Sequence, residues 1–142
     1  AGPKTWGNVV TTAFERHAAD KVIGEVNYGG AMVEYVIQTT RPRTPFEAVT
    51  ASRGKVIRAE PISSLAEQGK IRHAGSFQLL EEELCSFTTN GYVGSDSPNR
   101  ADAMIWAVTA LFPGIVKKAM KEQAVTRELV EASSHNEGWL AA

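Results

Sequence analysis

The run Lys21-Val22-Ile23-Gly24-Glu25-Val26 constrains the fold more than any other stretch of the chain. It is short, β-branched and barely alternating, the pattern of a strand covered on both faces, and such a strand needs helices to cover it. Its flanks supply them. Before it, Trp6, Val9, Val10, Ala13, Phe14 and Ala18 recur at three- and four-residue steps and predict an amphipathic helix. After it, Asn27-Tyr28-Gly29-Gly30 has turn chemistry, and Met32, Val33, Val36 and Ile37 resume helical spacing. Pro42 and Pro45 end that helix, because each lacks a donor and biases its predecessor toward extended geometry, and Phe46 to Ala51 reads as a second strand. Alternating strands and helices place the chain in the α/β class.

Downstream, Lys55 to Gln68 predicts a helix with Val56, Ile57, Leu65 and Ala66 on its inner face, Pro61 starting or kinking its second half, and Gly69 as C-cap. Ile71 to Ala74 reads as a short extended piece. Phe77 to Phe87 reads as a helix with Leu79, Leu80, Leu84 and Phe87 inward and Glu81-Glu82-Glu83 solvated. Thr88 to Asn99 is a polar loop, and Arg100 to Phe112 is an apolar helix expected to be largely buried. A charged helical segment with a polar tail follows Pro113-Gly114, giving an expected division into 1–112 and 113–142. A chain of 142 residues with 43% hydrophobic content fits a packed core and argues against disorder. No window approaches the roughly 18 apolar residues of a membrane span, no secretory leader is visible, and the single cysteine excludes an intrachain disulfide; an intracellular setting is the expectation.

Two carboxylates sit where chemistry could use them. Glu25 lies near the carboxyl end of a strand, where open α/β sheets gather ligands, although a strand-end glutamate is also an ordinary solvated residue. Asp102 begins an apolar helix and suits either a first-turn dipole partner or a ligand. Together they could chelate a hard cation such as Mg²⁺. The net charge of -1 announces no polyanion binder, yet Arg41, Arg43, Arg53, Lys55 and Arg58 face only Glu47 within their stretch, a local excess of either docking or merely solvated character. Position 56 is Val, so Gly54-Lys55 is no phosphate loop of the Walker kind. The three histidines lack metal-ligand spacing, and Cys85 reads as a small core residue rather than a nucleophile.

Three blocks, Glu25 to Val33, Ala51 to Pro61 and Ser97 to Ala107, resemble in that order the C-terminal nuclease domain of the large terminase subunit of tailed bacteriophages, over roughly positions 5 to 112. The resemblance implies a ribonuclease H-like fold that cuts concatemeric double-stranded DNA during genome packaging, with acidic residues holding two Mg²⁺ or Mn²⁺ ions. Carried over by position, Glu25 and Asp102 are the catalytic, metal-holding acids, with Asp96 as an accessory ligand, and Arg53, Lys55 and Arg58 face DNA. The family's first catalytic aspartate lies on an opening strand that would precede the Trp6 helix, so the metal site is expected to be incomplete here and the chain alone weakly active or inactive. The implied partners are an upstream ATPase domain, the portal and the small terminase subunit, with no membrane, and the implied setting is the host bacterial cytoplasm at the procapsid. The alternative is a noncatalytic terminase fragment or a module that binds DNA or a packaging partner.

Overall fold

A computed structural model describes residues 2–26, 31–51 and 54–137, the last five in backbone only. The Asn27 to Gly30 turn, Arg53 and the side chain of His135 lie outside that description. The fold is mixed α/β and mostly helical, and it divides into two compact units, Ala1–Ser52 and Arg53–Ala142.

The first unit runs α1 (Pro3–Arg16), β1 (Val22–Glu25), α2 (Ala31–Thr40) and β2 (Phe46–Val49). The strands pair in parallel, Val22 opposite Phe46 and Glu25 opposite Val49, so the strand, helix and strand expected from the sequence join as one βαβ unit. Helix α1 packs on α2, but through a rotated face. Gly7 and Thr11 are buried, whereas Val9 is 65% exposed and Ala13 is also outside. The reason is close approach: a Cβ on Gly7 would stand 2.6 Å from Thr40 Oγ1 and 2.9 Å from Val36 Cγ1, so the glycine selects which stripe meets α2. The Thr11 hydroxyl can be buried because it donates to the Gly7 carbonyl at 3.0 Å.

The second unit runs α3 (Lys55–Glu67), α4 (Gln78–Cys85), β3 (Phe87–Thr88), β4 (Gly91–Tyr92), α5 (Asn99–Leu111) and α6 (Pro113–Glu137). Gly69, at φ +70°, ends α3 as predicted: its N–H donates to Ala66 and that of Lys70 to Leu65, the paired bonds of a Schellman motif. Helix α3 continues through Pro61, which is itself buried. Its inner face is Pro61, Ile62 and Leu65, while Ile57 and Ala66 are exposed, a correction to the predicted stripe. Ile62 and Leu65 join Ile105, Val116 and Ala119 in one core cluster, so α6 shares the core of this unit.

Four further expectations change. Ile71 to Ala74 forms no strand; Ile71 instead packs on the core as an irregular segment. Helix α4 stops at Cys85, and Phe87 opens a short antiparallel hairpin with Tyr92 opposite, inside the stretch read as helix and loop. Leu79 is 57% exposed and Cys85 is exposed, and no residue of this eight-residue helix is fully buried. Helix α5 is likewise buried on one face only, at Ala101 and Ile105, with Leu111 outside. No single helix among the described residues is long and apolar enough to cross a membrane.

Candidate functional site

Helix α3 starts at Gly54, which provides no side-chain cap, and the first turn of α3 carries Lys55 and Arg58. Two cations at the positive end of a helix dipole are unfavourable by about 0.3–1 kcal/mol each at exposed sites. Helix α5 supplies the compensation from its own first turn, where a carboxylate is favoured. Asp102 Oδ2 accepts from Lys55 Nζ at 2.7 Å, and Oδ1 accepts from Arg58 Nη2 at 3.4 Å. One turn later on α5, Trp106 lies beneath the Arg58 guanidinium, 4.8 Å from ring centroid to Cζ. Lys55 Nζ also donates to Ser97 Oγ at 2.9 Å. The side chains of Asp102 and Arg58 are only 13% and 11% exposed, whereas Lys55 is 42% exposed.

Three residues singled out from the sequence therefore converge, and two that reasoning missed, Ser97 and Trp106, complete the cluster. The readable signal was spacing: Lys55 and Arg58 stand at i,i+3 and Asp102 and Trp106 at i,i+4, each pair on one helix face. Glu25 is the last residue of β1 and belongs to the first unit. Asp96 lines a polar recess of about 660 Å³ beside the start of α5, together with Ser95, Ser97 and Asn99. Arg41 and Arg43 belong to the first unit. Arg41 pairs with Glu15 at 2.8 Å and stacks over Phe14, which gives it a structural role within the first unit.

Glu83 is a second correction, since the sequence reading left it in a solvated acidic run. It reaches from α4 to the N-terminus of α5, where Oε2 accepts from the backbone N–H groups of Arg100 and Ala101 at 2.8 and 2.9 Å and Oε1 accepts from Arg100 Nη1 at 2.9 Å. The Ala101 N–H first, and then Arg100, hold its carboxyl below the ordinary glutamate range, against an opposing effect of burial.

The chemistry of the donor set at Lys55 bears on metal binding. Asp102 Oδ2 and Ser97 Oγ are oxygens converging on one cation, an ammonium, and oxygen is the donor that Mg²⁺ and Mn²⁺ accept. Among the described residues, no group of three or more His, Cys, Asp or Glu side chains stands together as a metal site. The contacts of Lys55 thus bring together one carboxylate and one hydroxyl. No protein-family model, curated protein sequence or solved structure matches the chain.

Proposed function

We propose that the chain is a Mg²⁺- or Mn²⁺-dependent DNA-cutting domain with a ribonuclease H-like arrangement, of the kind found in terminase large subunits. The observation that carries this reading is the convergence of the second and third resembling blocks: Lys55 and Arg58 of one meet Asp102 of the other across more than 40 residues of sequence. In this reading Asp102 and Asp96 are the metal-holding acids of the second unit and Glu25 that of the first. Two bound ions would supply a hydroxide nucleophile near neutral pH and neutralise charge on the nonbridging and leaving oxygens. Arg58, fixed by Asp102 and Trp106, and Lys55, with its exposed stem, hold the phosphodiester backbone without reading bases. Double-stranded DNA, a motor ATPase domain, the portal, the small terminase subunit and a site of action at the procapsid in the bacterial cytoplasm belong to the same proposal.

One observation favours the second reading, a noncatalytic module that binds DNA or a packaging partner: both Asp102 oxygens are turned to cations. Plasmid cleavage followed across a Mn²⁺ titration decides between them. The nuclease reading expects weak, metal-dependent nicking that disappears in Glu25→Ala and in Asp102→Ala. Nicking that survives both substitutions sinks the assignment of the acids, and duplex binding in EDTA without cleavage at any Mn²⁺ concentration selects the binding module.

A further inference from the structure

We propose that the second unit holds a binding slot for a medium-chain aliphatic carboxylate, with the alkyl chain against Leu65, Ile71, Val108, Phe112 and Ile115 and the carboxylate held by Lys70 and Arg72. The slot has a volume of about 270 Å³ and shares no residue with the cluster around Asp102, so it stands apart from the nuclease reading. Two breaks in the chain shape it. Helices α5 and α6 meet at 107° around Phe112, because Pro113 biases Phe112 away from helical geometry, to φ -130° and ψ 53°. On the other side, the Schellman turn at Gly69 ends α3 and returns Ile71 to the core, with Lys70 and Arg72 flanking it in sequence. Leu65, 3% exposed, is the deepest wall, and Phe112 and Ile115, 52% and 48% exposed, form the rim.

The lining suits both ends of such a ligand. The volume lies just under the roughly 300–1,000 Å³ of sites for drug-sized molecules, which fits one alkyl chain among five apolar side chains. Two cations line the slot and, among the described residues, no carboxylate does. Lys70 Nζ donates to Gln68 Oε1 at 2.6 Å and Arg72 Nε to the Gly69 carbonyl at 3.3 Å, so the acceptors in both bonds are neutral. A ligand carboxylate would give both side chains charge-assisted bonds, roughly twice as strong as neutral ones. A neutral amphiphile leaves the two charges unused, and a cationic one is repelled by them. Charge complementarity therefore selects the anion.

An amide NMR titration of the full 142-residue chain with octanoate, octanol and octylammonium, each kept below its micelle or solubility limit, tests the proposal. Octanoate is expected to shift the amides of residues 65–72 and 108–115 saturably. It should bind about tenfold more tightly than octanol, the gain from hydrogen bonds to a charged group, and octylammonium should bind most weakly. The double substitution Lys70→Gln with Arg72→Gln, at two exposed side chains, is expected to bring octanoate down to the octanol affinity and to leave octanol unchanged. Equal affinity for all three probes in the unaltered chain overturns the carboxylate assignment and leaves an unselective apolar crevice. Octanoate binding that survives the double substitution removes both cations from the site and overturns the proposal as well. Shifts confined to other residues, or none from any probe, overturn the slot itself. A short peptide of leucine and glutamate serves as competitor: displacement of octanoate at peptide concentrations below those of octanoate would assign the slot to a protein segment and overturn the small-ligand reading.

Discussion

Ala18 occupies the left-handed region at φ +45°, just past α1, where its N–H donates to Glu15 and that of Ala19 to Phe14. This is the same capping geometry that Gly69 serves after α3, but built on a residue with a Cβ. The left-handed conformation costs an L-residue roughly 1–2 kcal/mol, and the extra unfolded-state freedom of glycine returns about half of that. Ala18→Gly is therefore expected to stabilise the first unit by about 0.5–1 kcal/mol, read as a higher urea midpoint by circular dichroism. A lower midpoint would mean that the alanine methyl makes a contact worth more than the strain. Gly7 shows the opposite sign. A methyl there meets Thr40 and Val36 inside contact distance, so Gly7→Ala is expected to destabilise by about 1–3 kcal/mol. The rotated face of α1 follows from this one residue: periodicity gave a stripe that includes Val9 and Ala13, and the absence of a side chain at position 7 turns the buried face toward Gly7 and Thr11.

At the scale of elements, α5 begins without a cap of its own, because Pro98 precedes it and offers no side-chain acceptor. Glu83 takes that role from α4, tying two helices end to side. Its carboxyl is held below the ordinary value near 4.5, so the stabilisation it provides is fully present above that pH and is lost as pH falls through the lowered value. Glu83→Gln is expected to lower stability at neutral pH and to flatten the acid limb of a stability profile taken from pH 6 to pH 3. An unaltered acid limb would show that the cap contributes nothing through its charge. Elements of four or more residues with clear punctuation were legible: β1, α2 and β2 through a β-branched run, a turn and two prolines, and the end of α3 through Gly69. The hairpin of β3 and β4 was not, since two-residue strands are too short to show a period. Nor was Glu83, because three consecutive glutamates look alike until a helix end is placed beside one of them.

Across the whole molecule, the basic run from Arg41 to Arg58 is divided between the two units, and most of its described members have counter-ions within their own unit. Arg41 is paired with Glu15 inside the first unit, Glu47 with Lys21, and Lys55 and Arg58 with Asp102 in the second. Charge counted along a chain becomes a field only after folding has assigned counter-ions, and the sequence names none of them. Lys55, Arg58 and Asp102 could each be picked out by residue type, yet their mutual pairing spans more than 40 positions and lies beyond any local pattern. Of the two cations on Asp102, Lys55 is the more exposed and the better placed to meet a polyanion. In EDTA, where no metal competes for Asp102, Lys55→Gln is expected to weaken binding to unrelated duplexes by a common factor, because a phosphate contact carries no sequence information. The slope of log affinity against log salt should become shallower by about 0.9, the release of counterion that one phosphate contact produces. Fluorescence anisotropy with two duplexes of unrelated sequence over a salt series measures both quantities. An unchanged affinity and slope would place Lys55 on a solvated face, held by Asp102 and Ser97; loss of affinity for one duplex and not the other would mean that Lys55 reads bases.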